Sequence, residues 1–306
     1  MDSPLPEGGG NVGETRIGIL GCGYVGLELA RQLDDEFDVY GVRRSESGLE
    51  AVREAGARAI QADLTDPEAV AALPDADVLV FTASTGGSQS AAAIYNDALA
   101  SVIQSFGDRD DQPDRLVYTS STGVYGNHDG AWVDEETPID PQTERQAILH
   151  DAEQLVRTQA PDVGIDGTVV RFGGLYGPDR YRLDRYLEGP VTEGYLNLVH
   201  RDDAAGILRY LVDTDQARNE TVLAVDHEPL DRWAFADWLA EEVGVERPAK
   251  QTIEEALSAV DSTRRRQRIQ ANKRCSSEKL RDLGYEFVYP TAYDGYRPAI
   301  EAAREA

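Results

Sequence analysis

The stretch "RIGILGCGYVGLELA", residues 16–30, decides how the rest of the chain is read. A short apolar run ends in Gly21-x-Gly23-x-x-Gly26 and passes directly into a segment with helical apolar spacing. Glycine at these positions permits a tight turn, close approach of the backbone to a pyrophosphate, and close packing of helix on strand. The helix start that follows offers unpaired amides and a favourable dipole to an anion. At the head of a strand–turn–helix unit this spacing predicts a dinucleotide site over Gly21, Gly23, Tyr24, Val25 and Gly26. The alternative is a glycine-rich turn made for packing alone.

Outward from that turn, short apolar strands alternate with helical segments, the pattern of a parallel α/β sheet. The expected strands are 16–21, 37–43, 57–62, 77–84, 114–121 and 165–172, with helices over 25–33 and 89–106. The second strand ends "YGVRRSES", where an acid would bond a ribose 2′-hydroxyl and cations would accept a 2′-phosphate. Arg43, Arg44 and the hydroxyl of Ser45 occupy that position, which favours NADP(H) over NAD(H). Ordinary ion pairing with neighbouring carboxylates is the plain alternative. After Phe172 the rhythm breaks into "GGLYGPDRYRLDRYLEGP", then resumes with strands at 195–200 and 221–225 and helices at 202–212 and 231–244. Asp202 or Asp203 is the expected cap of the first of these helices.

This layout predicts a doubly wound Rossmann sheet with a smaller C-terminal α/β substrate domain. The expected division is a dinucleotide-binding part over 15–171 plus 200–226, a substrate part over 172–199 plus 227–306, and a disordered leader over 1–14.

Composition narrows the function classes. Asp and Glu number 56 against 30 Lys and Arg, a formal net charge of −26, and only Lys250, Lys273 and Lys279 are lysines. Such self-repulsion costs stability in dilute buffer, and salt screens it, with a Debye length of ~3 Å at 1 M. The expectation is a cytoplasmic protein of a salt-accumulating halophile; a merely acidic cytosolic protein is the simpler reading. No excess of positive charge is present to neutralise phosphates, so general nucleic-acid binding is disfavoured. No apolar run approaches the ~18–20 residues needed to span a bilayer. Cys22 and Cys275 form no disulfide framework or metal cluster.

The ordered set of the glycine turn, "QADLTD" (61–66), "LVYTSSTGVYG" (116–126), "VVRFGGLYGPDR" (169–180) and "NLVHRDDAAGIL" (197–208) resembles an atypical extended short-chain dehydrogenase/reductase of the NAD-dependent epimerase/dehydratase superfamily. The resemblance implies an NAD(P)-dependent oxidoreductase, monomeric or homodimeric, acting on a polar, nucleotide-linked or sugar-like carbonyl substrate. It implies that Asp63 and Leu64 lie against the adenine and that Thr82, Ala83 and Ser84 line the cofactor. Ser121 corresponds to the hydroxyl that polarises a substrate carbonyl. Arg171, Tyr176, Arg180, Arg182 and His200 fall where such proteins build the substrate pocket, although His200 also reads as a packed strand-end residue. The basic run "TRRRQRIQANKR" (263–274) reads either as a grip on the diphosphate of a nucleotide-linked substrate or as a solvated face pairing with Glu254 and Glu255.

The resemblance fails at one place. Counting back from Glu153 in "TERQAILHDAEQLV" (143–156) puts Arg145 and Leu149 where the family carries a tyrosine and a lysine. No tyrosine occurs between Tyr125 and Tyr176 and no lysine before Lys250, so no shift of alignment restores the pair. Loss of a positioned general acid costs ~10²–10⁴ in rate. Arg145 can bind an anion or polarise a carbonyl but cannot donate a proton near neutrality. His128, in the loop after the fifth strand, is the other candidate acid. An NADP(H)-binding sensor or scaffold without turnover is the rival reading, and a nucleotide-sugar epimerase the third.

Overall fold

Seven parallel strands form the centre of the molecule, and their apolar residues explain why both faces are covered. The computed structural model describes residues 15–33, 36–85 and 89–305, apart from the Arg264 side chain. The leader expected over 1–14 lies outside the described residues. The strands are β1 (Arg16–Leu20), β2 (Asp38–Arg43), β3 (Arg58–Gln61), β4 (Val78–Phe81), β5 (Arg115–Ser121), β6 (Asp166–Phe172) and β7 (Thr221–Ala224). Their spatial order is β7-β6-β5-β4-β1-β2-β3, all pairs parallel. This is the doubly wound Rossmann sheet expected from the sequence. Runs such as Val78–Phe81 are buried throughout, as strands covered on both faces must be.

Alternate side chains feed two cores. Leu20, Leu79, Phe81, Leu116 and Tyr118 face one, and Ile17, Ile19, Val78, Val80 and Val117 face the other. The first core is closed by α4 (Leu99–Gly107) and α5 (Glu144–Gln154), the second by α1 (Tyr24–Leu33) and the helix Arg201–Asp213. The apolar stripe of residues 143–156 behaves as its spacing requires, with Leu149, Ala152 and Val156 buried. Two expected helices are interrupted. Residues 89–106 divide into a π-turn, Ala93–Ala98, and α4, and α5 runs into a second π-turn, Leu155–Gln159.

The chain leaves the sheet after β6 and returns to it only at β7. A third core, built on Tyr176, Tyr186, Phe235, Leu239 and Tyr296, packs beside the strand ends. Its strands are short pairs, Pro190–Thr192 with Ala249–Gln251 and Tyr195–Leu196 with Leu230–Asp231. The cap of the helix Arg201–Asp213 differs from expectation. His200 Nδ1 accepts from the Asp202 amide at 3.2 Å, while Asp203 is turned inward. Its carboxylate accepts from the Val288 and Tyr289 amides at 2.8 and 2.9 Å, pinning a C-terminal segment far away in sequence. Sequence spacing cannot reveal that use, because the partner amides are more than eighty residues downstream.

Beside it, Asp226 is almost fully buried and receives one hydroxyl, from Tyr176 at 3.3 Å. Desolvation, with Asp203 nearby, pushes its carboxyl well above the ordinary range. A carboxyl raised by folding stabilises the protein below its unfolded value, near 3.8, and loses that contribution as pH rises through the folded value. Asp226→Asn is therefore expected to raise the urea midpoint at pH 8 and to lose that advantage progressively as pH falls towards 5. Urea titrations of both proteins at pH 5, 6.5 and 8 check it; a gain that grows towards low pH contradicts the assignment.

Candidate cofactor and substrate cleft

The glycine turn is shaped by what would collide with it. Gly21 has a φ of +83°, and a Cβ there would stand 2.3 Å from the Ala83 Cα. Thr82 fixes that contact, its amide donating to the Leu20 carbonyl at 2.9 Å and its hydroxyl to Gly21 O at 3.2 Å. At Gly26 a Cβ would meet Thr82 Oγ1 at 2.9 Å and Ile19 at 3.0 Å, so this glycine sets the close packing of α1 on the sheet. At Gly23 the nearest atom would be Arg43 Nη1, at 3.0 Å. The turn lies at the carboxyl ends of β1 and β4, where strand order reverses and open α/β sheets bind ligands. A cradle this intolerant of Cβ atoms, opening onto a helix start, fits a pyrophosphate.

Arg43 reaches across the turn and donates to the Cys22 carbonyl at 3.1 Å. Arg44 bonds Gln89 and lies 3.8 Å from Asp63. Ser45 caps the helix Glu46–Glu54, accepting from the Gly48 amide at 3.2 Å. Asp63 accepts from the Thr65 amide and hydroxyl at 3.0 and 2.7 Å and from Gln89 at 3.1 Å. Partial desolvation raises its carboxyl, and these bonds together with Arg44 outweigh that, leaving it below the usual range. The Leu64 side chain points into the first core.

From Gly23, Tyr24 and Val25 a cleft of about 450 Å³ runs past Thr82, Ala83 and Ser84 to Ser121 and then under the third core. Ser121 Oγ accepts from the Gly123 amide at 3.1 Å, which leaves its own proton to donate elsewhere. Arg145 and Leu149 lie along the same wall, one turn apart on α5. The π-turn brings Tyr95 to it as well, a residue that sequence reasoning missed because a π-turn shifts side chains off the expected helical face.

Beneath this wall is a buried polar network. Ser120 donates to Glu153 at 2.6 Å, and Glu153 is paired with Arg171, also at 2.6 Å. Arg171 in turn donates to the Tyr125 hydroxyl, which donates to the Asp134 carbonyl at 2.6 Å. Arg171, expected in the substrate pocket, is thus an interior residue joining β6 to α5. Tyr176 and Arg180 do line the cleft, the first with its hydroxyl on Asp226, the second with its guanidinium 3.9 Å from the centre of the Tyr24 ring. His200 is buried beneath Tyr176 and Tyr289, and burial lowers its pKa to about 4, so it is neutral. His128 is held away from the cleft wall, its amide on the Asn272 carbonyl and its ring against Tyr125.

The electrostatics of the cleft oppose those of the molecule. Arg145, Arg180, Arg182, Arg185 and Arg268 line it, and among the described residues no aspartate or glutamate does. Arg268 comes from the basic helix Thr263–Gln270, part of the run 263–274, and reaches the cleft wall.

A sequence profile described as NAD(P)H-binding matches residues 21–215. The chain belongs to this NAD(P)H-binding family. It is 28% identical to Protein YeeZ of Escherichia coli K12 over 284 residues, 90% of this chain and 96% of that protein. Among solved structures it is similar to a Methylobacillus flagellatus protein named with the NAD-dependent epimerase/dehydratases (28% identity, 96% of this chain and all of the other, TM-score 0.76). It shares its fold with DesIV, the dTDP-glucose 4,6-dehydratase of Streptomyces venezuelae, at 18% identity, 95% and 97% coverage and a TM-score of 0.74. The chain thus shares its NAD(P)H-binding fold with solved structures named as epimerase/dehydratases.

Two outcomes follow from the geometry. Gly23→Ala meets only the flexible end of Arg43, so it is expected to leave the melting temperature nearly unchanged while weakening NADPH binding about tenfold or more; fluorescence titration and a thermal melt on one sample check both. Glu153→Ala strands a buried guanidinium, and is expected to cost about 3–5 kcal/mol, measured from urea unfolding.

Proposed function

We propose that the chain is an NADP(H)-preferring oxidoreductase that acts on an anionic, polar carbonyl compound, including nucleotide-linked sugars as a class, without the Tyr/Lys pair. The observation that carries this reading is the continuity of the glycine turn with a cleft lined, among the described residues, by five arginines and no carboxylate. A molecule of net charge −26 repels anions at long range, and a cationic cleft within it focuses them locally. The segments 172–199 and 227–306 form the substrate side in this reading, and 15–171 with 200–226 the cofactor side. The protein works as a monomer or homodimer in a salt-rich cytoplasm.

When bound, the nicotinamide supplies or takes up a hydride. Ser121, with its own oxygen engaged by the Gly123 amide, donates a hydrogen bond to the carbonyl oxygen and polarises it. Arg145 adds positive charge where the alkoxide develops, a preorganised electrostatic contribution. Neither Arg145 nor Leu149 can give up a proton near neutrality, so the alkoxide takes its proton from water, leaving alcohol and hydroxide. Arg43, already bridging the turn, is the candidate for a 2′-phosphate, with Arg44 and Ser45 beside it.

The absence of tyrosine and lysine from α5 favours a second reading, a non-catalytic NADP(H) sensor or scaffold. A nucleotide-sugar epimerase comes third, because it needs the same missing proton transfers. Titration of the purified protein with NADPH and NADH in molar KCl is the test, alongside Arg43→Ala and Arg44→Ala. Tighter NADPH binding that Arg43→Ala reduces towards the NADH value is expected. Turnover of an anionic carbonyl compound that Ser121→Ala lowers by about 10² or more would then identify the enzyme. NADPH binding without turnover across phosphorylated and carboxylated aldehydes and ketones would select the sensor; no nucleotide binding by folded protein overturns both.

A further inference from the structure

The two walls of the cleft carry their positive charge separately. On the sheet side, Arg145 lies one helical turn before Leu149, whose Cδ1 is 3.9 Å from where a Cβ on Gly123 would stand. This puts Arg145 on the wall that holds Ser121, close enough for its charge to act on the buried Tyr118 phenol below. On the opposite side, Arg182 and Arg185 act on Tyr186, and Arg185 on Tyr296, residues of the third core. Arg182 also holds a left-handed φ of +52°, uncommon for a residue with a side chain and typical of positions constrained by function.

Arg145, Arg182 and Arg185 have no side-chain hydrogen bond or ion pair among the described residues. In a chain with 56 carboxylates and 30 cationic side chains, partners for a guanidinium are abundant, and most arginines elsewhere have found one. Guanidinium groups left open on two facing walls are arranged for a ligand that is itself charged at two points. A planar fork matches a carboxylate bidentately, and two neighbouring guanidiniums suit the greater charge of a phosphate.

Resting on the oxidoreductase reading above, we infer that the cleft has two anion subsites, and that its substrate carries a carboxylate next to the reacting carbonyl and a phosphate at its far end. Arg145 holds the carboxylate while Ser121 bonds the carbonyl oxygen. Arg182 and Arg185 hold the phosphate. The substrate class is a phosphorylated 2-oxo acid or the corresponding 2-hydroxy acid.

The test is calorimetric titration of NADPH-saturated protein with oxamate, an isostere of a 2-oxo acid, and with inorganic phosphate, at the lowest KCl concentration that keeps the native circular dichroism spectrum. Both probes are expected to bind, and saturating phosphate is expected to leave oxamate affinity within about twofold. Arg145→Gln is expected to weaken oxamate about tenfold and phosphate less than twofold; Arg185→Gln is expected to do the reverse. Mutual displacement of the probes, or equal losses for both probes in each variant, would reduce the two subsites to one and overturn the inference. Binding of neither probe would overturn it too. NADPH fluorescence on the same samples separates the failures: loss of NADPH binding sinks the oxidoreductase reading, whereas NADPH binding without probe binding sinks only the paired subsites.

Discussion

The Glu153–Arg171 pair fixes the geometry on which the cleft depends. It is buried on both sides, and it joins α5 to β6 while Ser120 ties β5 to the same carboxylate. A buried ion pair of this kind gains little net stability over an apolar replacement of equal shape, because desolvation of both charges offsets their attraction. Its consequence is positional. With every polar atom of the carboxylate engaged, α5 can sit in only one rotation over the strand ends, and that rotation turns Arg145 and Leu149 towards Ser121. Tyr125 extends the same network into the turn after β5. The wall of the cleft is thereby as rigid as the sheet under it.

Charge is the second organising constraint. Carboxylates are abundant in the chain, yet among the described residues none lines the cleft, and the cations gathered there come from α5, from the segment after β6 and from the helix Thr263–Gln270. These segments are far apart in sequence and converge because the chain leaves the sheet after β6, builds the aromatic third core, and lays it over the strand ends. Where salt is high, long-range repulsion between the surface and an anionic ligand is screened within a few ångströms. Short contacts inside the cleft persist under those conditions, since screening acts less on partly enclosed pairs.

Much of the fold was legible from local pattern. Parallel strands covered on both faces must be continuously apolar, and the six strands expected in the first half are six of the seven in the central sheet, with ends displaced by at most three residues. The glycine turn was legible for the same reason, since its three glycines answer to backbone and packing contacts within a single βαβ unit. Arg43 was found near that turn because strand register carries it there. Arg171 was expected in the pocket, because its position in the strand after Val170 gives no sign of which face its side chain takes, and burial against Glu153 decides it. His200 was read both ways and is a buried helix cap. Arg182 and the basic run that holds Arg268 were read towards the substrate and do reach the cleft, whereas Tyr95 and Arg185 were not singled out, since a π-turn and a short helix beside the third core bring them in.

By itself the sequence determined the doubly wound sheet, the glycine turn and the presence on α5 of Arg145 and Leu149 with no tyrosine or lysine beside them. Each of these is a local property, set by apolar period, by the absence of a Cβ, or by residue identity at a counted position. Only the tertiary structure decided that the arginines meet, that Arg171 serves the interior, and that Asp203 holds the C-terminal segment. Those outcomes depend on which distant groups share a cavity, and it is the folding of the third core over the strand ends that brings them together.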